Sequence, residues 1–176
     1  MVHIIIIIVA ALFTALLIYA ATKPDKFRVW RSTSIKASPD RIFALITDFH
    51  NWNAWSPYEQ MDPEMKRNLS GKPRGKGAVY EWESNSSKAG IGRMEIVESL
   101  PPSKAVIQLD LAEPFEIRSI VEFTLETKDD ATQVTCDMQA MNPYLRKVMG
   151  IFYDRDSVIA EEFEEGLANL KTIAER

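Results

Sequence analysis

Few residues in this chain are spaced for chemistry. His50 follows Asp48 by two positions, and a carboxylate beside an imidazole orients a general base. No serine or cysteine nucleophile is assignable beside the pair, so a surface or capping histidine is the plainer reading. No G-x-S-x-G elbow occurs, and "GKPRGKG" (71–77) lacks the GK[ST] ending of a phosphate-cradling loop. Two charges fall on apolar parity. Arg31 shares a strand face with Val29 and Ile35, and Asp156 lies within about 40° of the centre of the last helix's apolar stripe at ~100° per residue. Each needs a partner, a water or the polar end of a ligand. The alternatives are that Arg31 emerges at a strand end and that Asp156 meets Arg155 or a backbone group at the helix surface. With His50 and Tyr80 these two form the acid/base set if the protein runs a reaction. Glu161, Glu162, Glu164 and Glu165 lie off the stripe and read as a solvated face. One cysteine, Cys136, and two histidines, His3 and His50, supply neither an internal disulfide nor a four-ligand zinc site. No cofactor and no metal is implied.

The densest concentration of aromatic rings is "DFHNWNAWSPYEQMDP" (48–63), which holds two of the four tryptophans. Trp52 and Trp55, three apart, share one face of a short helix that Pro57 ends, because the residue before a proline avoids the αR region. The segment then serves as a lid or wall. Trp52, Trp55 and Tyr58 either pack between helix and sheet or contact a ligand, and large rigid rings can do both.

The elements that position these residues follow from periodicity. Phe27, Val29, Arg31, Thr33 and Ile35 alternate with polar neighbours, which predicts a strand. "ASPDRIFALITD" changes period, with Ser38 as N-cap, Pro39 at the first helical position and an apolar face of Ile42, Phe43, Leu45 and Ile46. A series of alternating segments comes next: Tyr80 and Trp82; Met94 and Ile96; Ile107, Leu109 and Leu111; Ile117, Ser119, Val121, Phe123 and Leu125; Val134, Cys136 and Met138. Turns at "SNSSKAG", "PPSK", "AEP" and "KDDA" make antiparallel hairpins with one wet face. From Asn142 and Pro143 onward, Leu145, Val148, Phe152, Ile159, Phe163, Leu167 and Leu170 recur at three- and four-residue steps and predict one helix of about eight turns. Inward parity then nominates Tyr80, Trp82, Met94, Ile96, Leu109, Ile117, Val121, Phe123, Met138, Phe152 and Ile159 as lining or core. Met138, Met141 and Met149 would suit an adaptable lining, though methionine fills core gaps as readily.

The chain's beginning differs from the rest. Ile4 to Ala21 runs without a charge and would extend ~27 Å as a helix, enough for a bilayer core. Residues 1–22 read as a transmembrane anchor, or an uncleaved signal, 23–26 as a linker and 27–176 as one domain. A cleaved signal peptide expects a basic start and a small-x-small site; here only the amino terminus and His3 precede the apolar run, and candidate sites such as Ile18-Tyr19-Ala20 or Tyr19-Ala20-Ala21 are poor. Lys23, Lys26, Arg28 and Arg31 follow the span, which places the domain in the cytoplasm; a signal peptide would make it secreted or periplasmic. A net charge of -4 without a basic run argues against nucleic acid as a partner.

This order of elements, with "IKASPDRIFALITDFHNWNAWSPYEQMDP", "GKGAVYEWES" and "FEEGLANLK", resembles the START-like (SRPBCC, helix-grip) superfamily and its polyketide cyclase/dehydrase branch over about residues 27–176. None of the motifs is catalytic. The resemblance implies an α+β fold in which a curved antiparallel sheet grips a long C-terminal helix around an apolar cavity. The expectation is a membrane-anchored domain that binds a small hydrophobic molecule, a lipid or an aromatic compound, without turning it over. The expected site is Arg31, Trp52, Trp55, Tyr58, Tyr80, Trp82, Met94, Leu109, Ile117, Phe123, Met138, Phe152, Asp156 and Ile159. Two alternatives are a cyclase/dehydratase-type enzyme acting on a hydrophobic substrate and a protein-interaction scaffold whose interior is filled.

Overall fold

The computed structural model describes residues 2–86, 89–113 and 116–176. It opens with α1 (Val2–Ala21), the one helix among the described residues long and apolar enough to cross a membrane. α1 stands almost wholly exposed, a property shared by membrane spans and signal sequences. After it come β1 (Lys26–Ile35), α2 (Pro39–Thr47) and two 3-10 turns (Phe49–Ala54 and Pro57–Gln60). The strands β2 (Lys66–Gly71), β3 (Ala78–Glu83), β4 (Ile91–Leu100), β5 (Lys104–Glu113), β6 (Ile117–Lys128) and β7 (Ala131–Met141) follow, then α3 (Tyr144–Met149) and α4 (Arg155–Ala174).

The seven strands form one antiparallel sheet in the order β1-β7-β6-β5-β4-β3-β2. In every strand but the edge strand β2, period-two alternation puts one face toward the core and the other toward water, where Arg93 pairs with Glu95 and Asp110 with Arg118 on the outer face. Register shifts between Ile91 and Gly92 and between Ile96 and Glu98 interrupt the β4–β5 ladder. Bulges of this kind bend a strand and increase its twist, which curves the sheet. With α4 against it this is the helix-grip α+β fold.

Residues predicted to start α2 do so. The Ser38 hydroxyl accepts the Arg41 N–H and Pro39 occupies the first turn. Asp48 then ends α2 and starts the first 3-10 turn by accepting the His50 N–H at 3.0 Å.

The C-terminal helix departs from the expectation of eight unbroken turns. Gly150 ends α3, and residues 151–153 bend back by bonding to the carbonyls of Val148 and Met149. Asp154 begins a new helix by accepting the Ser157 N–H at 3.2 Å and its hydroxyl at 2.7 Å. Those bonds hold the Asp154 carboxyl below the usual carboxylate range. Asn142 is not the cap: Pro143 occupies that position without a side-chain bond. The apolar stripe ran on past the break because spacing alone does not register a glycine followed by a strong N-cap. α4 then buries Ala160, Phe163, Leu167 and Leu170 in the core.

Candidate functional site

Pairing across the sheet sorts the inward residues into rows. The middle row is Ala78, Ile96, Ile107, Val121, Met138 and Val29, all buried. The next is Tyr80, Met94, Leu109, Ser119, Ala140 and Phe27, buried except at half-exposed Leu109. The last is Trp82, Gly92, Leu111 and Ile117, in which only Gly92 is buried. The inner face therefore grades from filled to open toward one end of the strands.

The filled end is where the tryptophan-rich segment lies. Trp52 and Trp55 are 7% and 5% exposed, with ring centres 4.9 Å apart. The Trp52 indole N–H donates to the Ile46 carbonyl at 2.9 Å and that of Trp55 to the Leu45 carbonyl at 3.3 Å. Both carbonyls belong to the last turn of α2, whose acceptors have no partner within the helix, so the two indoles cap it. Trp55 also meets the Phe123 ring edge-on at 6.3 Å. Gly166 lets α4 approach, since a Cβ there would stand 3.2 Å from Pro57 and 3.8 Å from Trp55. The segment is core, as the packing alternative had it, and forms a plug rather than a lid: 3-10 turns rather than an α-helix, seated between α2, the sheet and α4.

A row of rings runs from this plug toward the open end. Phe49 stands 5.1 Å from Trp52 and 5.9 Å from Tyr80, and Tyr80 stacks on Trp82 at 5.8 Å. The Tyr80 hydroxyl donates to Glu59, whose other oxygen takes the Arg67 Nε at 2.7 Å. Burial, reinforced by the Glu59 carboxylate, pushes the Tyr80 phenol well up from its ordinary value. Ser84 donates in turn to Asp62. The row ends at the Trp82 indole, which lies flat on Gly92 and donates to the Ala89 carbonyl at 2.9 Å. Any Cβ at Gly92 would come within 2.3 Å of the indole, so only glycine permits this approach.

The open end holds a groove of about 1010 Å³. Trp82, Gly92, Leu111 and Ile117 of the inward row, with Ile91 and Ala112, supply its apolar lining. The rest of its lining is polar, with Lys66, Arg67, Arg93 and Arg118 beside Glu81, Glu83, Asp110 and Glu116; Glu81, Arg93, Asp110 and Arg118 belong to the outward row, so the groove takes in the end of the sheet from both faces. A second groove of about 270 Å³ lies at the other end of β3, between His50, Phe49 and the Gly71–Pro73 turn.

The predicted site residues are thus divided. Trp82 and Ile117 line the larger groove. Trp52, Trp55, Tyr80, Met94, Phe123 and Met138 are buried in the core, and Leu109 and Ile159 pack at its edge. Tyr58 is 38% exposed and donates to Glu162 at 2.7 Å, joining the second 3-10 turn to α4. Burial, with Glu162 beside it, pushes that phenol up as well. Phe152 is 75% exposed and Asp156 is exposed at the start of α4, so neither faces the sheet. The Arg155 side chain, weighed as a partner for Asp156, lies outside the described residues. Arg31 leaves the inner face at the sheet edge to pair with Glu164 and to donate to the Trp30 carbonyl at 2.8 Å. His50 Nδ1 stands 2.7 Å from Asp48, within the cap of the first 3-10 turn. The four acid/base candidates are therefore not brought together. Among the described residues no three His, Cys, Asp or Glu are placed to hold a metal ion.

Several site residues escaped the sequence reading. Arg67 and Lys66 belong to β2, whose "KRNLSG" is exposed at every position and carries no alternation. Gly92 reads as nothing special until Trp82 is known to lie across it. Ser119 was placed on the inward face, yet only the structure shows its hydroxyl fully buried without a hydrogen-bond partner among the described residues.

Comparison with known proteins agrees with this geometry. No curated protein matches the sequence. Among solved structures, the dimeric Aha1 of Colwellia psychrerythraea superposes with a TM-score of 0.60 at 18% identity, over 85% of this chain and 96% of that one. Protein MLL2253 of Mesorhizobium loti does so with 0.61 at 17% identity, over 84% and 96%. Ara h 8.0201 gives 0.57 at 8% identity, over 85% and 97%. At such identities the likeness is one of fold. The family profile described as polyketide cyclase / dehydrase and lipid transport matches residues 26–175, and the chain belongs to that family.

Proposed function

We propose that this protein binds a small hydrophobic molecule in the groove of Trp82, Gly92, Leu111 and Ile117, beside a membrane in which α1 is anchored. The observation that carries the reading is where the groove lies. Ile117 opens β6, Ser119 pairs with Ala140, and Asn142, two residues further along, donates its N–H to Asp25 at the root of α1 at 2.8 Å. The groove and the anchor therefore share one end of the sheet. An apolar ligand leaving the bilayer reaches the apolar lining without crossing the body of the domain. An indole, a leucine and an isoleucine supply the apolar contact, and a pocket of this order, ~300–1,000 Å³, suits a lipid- or drug-sized molecule. Four cations and four carboxylates in the lining suit a ligand with a polar or zwitterionic end. Lys23, Lys26, Arg28 and Arg31 beyond α1 support a domain on the cytoplasmic side.

Binding without turnover is favoured over catalysis. Each candidate acid or base is either exposed or already engaged: Arg31 with Glu164, His50 with Asp48, Tyr80 with Glu59. The scaffold reading needs a filled interior, and the open row of the sheet weighs against it.

The test is native mass spectrometry, with lipid extraction, of full-length protein purified in detergent. A bound small molecule retained by wild type, lost in Trp82→Ala and kept in Trp30→Ala supports the proposal. A protein that carries nothing from its membrane, or whose adduct ignores Trp82, contradicts it.

A further inference from the structure

α3 is fixed to the base of α1. Tyr144 donates to the Leu17 carbonyl at 2.8 Å, and Ala20 is fully buried while nearly all the rest of α1 is bare. The intervening linker is tied down: Lys147 pairs with Asp25, Asn142 Nδ2 donates to the Pro24 carbonyl at 3.0 Å, and the Arg146 guanidinium lies 4.1 Å over the Phe27 ring. The Lys147 ammonium beside it holds the Asp25 carboxyl below its ordinary range. Leu17 lies four residues before the end of α1, or ~6 Å along the axis at ~1.5 Å per residue. With α1 across a bilayer, as proposed above, that contact sets the depth of α3 within the ~5–10 Å that interfacial helices reach.

The free face of this segment fits such a place. Leu145 and Met149 lie four apart on one side of α3, and they and Phe152, in the turn that follows, have their side chains largely in solvent. Met141 before α3 and Tyr153 after it are exposed as well. Lys23 lies over the Tyr19 ring at the end of α1 and Lys26 opens β1 opposite Met141, cations of the kind that meet anionic headgroups. Aromatic rings such as those of Tyr144, Phe152 and Tyr153 favour that layer.

We infer that Met141–Tyr153 is a second membrane contact, inserted into the interfacial lipid of the same bilayer that α1 spans, and that it fixes the tilt of the domain so the groove faces the membrane. The inference rests on the anchored reading, and its test separates the two. Full-length Cys136→Ala chains bearing one nitroxide, at Val9→Cys, Leu145→Cys, Phe152→Cys or Glu161→Cys, are placed in nanodiscs of phosphatidylcholine and phosphatidylglycerol. Collisions with dissolved oxygen and with a water-soluble nickel chelate are then compared. The expected result is an oxygen-to-nickel ratio several-fold higher at positions 9, 145 and 152 than at 161, with 145 and 152 shallower than 9. A lipid-like label at 9 with a water-like label at 152 overturns the second contact and leaves the anchor standing. A water-like label at 9 overturns both. Mutual broadening of labels at 152 that vanishes on dilution with unlabelled chain would show a second copy on this face, and would overturn the inference too.

Discussion

The two ends of the sheet's inner face are built from the same kinds of residue and behave differently. At one end Trp52, Trp55 and Phe123 close flush beneath α2 and α4. At the other, Trp82 lies on Gly92 with Leu111 and Ile117 only half covered. Both ends are aromatic, so aromatic content does not decide which one is open. What decides it is the cover. Each indole in the plug has a helical carbonyl to bond and is buried beneath α2 and α4, whereas Trp82, Leu111 and Ile117 stay half exposed beside charged residues, with no helix over them among the described residues.

The contrast is broken most severely from the filled end. Trp55→Ala removes a fully packed ring and a helix cap and should cost about 3–5 kcal/mol, read as a lower urea midpoint with little change in the slope. Gly92→Ala forces a methyl group into the Trp82 ring and should cost about 1–3 kcal/mol while also displacing the groove lining, so stability and ligand retention fall together. Trp82→Ala should separate the two effects. A half-covered ring contributes about 1–2 kcal/mol to folding, and its loss should weaken binding of an apolar probe by about tenfold, visible by titration.

A smaller effect appears at high pH. The Tyr80 phenol ionises more reluctantly in the folded state than in the unfolded chain, because it is buried and bonded to Glu59. Its contribution is therefore complete below the unfolded value of about 10 and is lost as the pH rises above it. Wild type should lose stability more steeply than Tyr80→Phe between pH 10 and 11 in parallel denaturant titrations. Smallest of all, Ser119→Ala removes a buried hydroxyl that lacks a partner and should leave the protein unchanged or up to about 1 kcal/mol more stable. A clear loss would mean that the hydroxyl is bonded in solution.

Much of the filled end was legible in the sequence, since alternation and capping are local signals. Ser38, Pro39 and the period of β1, β6 and β7 led to the right elements, and the order of elements led to the fold. The open end was less legible for physical reasons. β2 is an edge strand with neither face buried, so nothing in "KRNLSG" alternates. Gly92 matters only through a cross-strand neighbour ten residues away. Phe152 and Asp156 were placed inward by extending one helical period through Gly150, where the chain starts a new helix on a different bearing. Arg31 has the predicted parity, but its length lets the guanidinium reach past the sheet edge to Glu164.

The chain's four tryptophans sample both ends and the outer face, which makes them reporters of the central claim. Full-length protein labelled with 15N at the indole nitrogens, in nanodiscs, should show four N–H resonances. Titration with a lysophospholipid is expected to shift Trp82 and to leave Trp52, Trp55 and the outward-facing Trp30 in place. Shifts centred on Trp52 and Trp55, with Trp82 unmoved, would contradict the account and return the site to the plug.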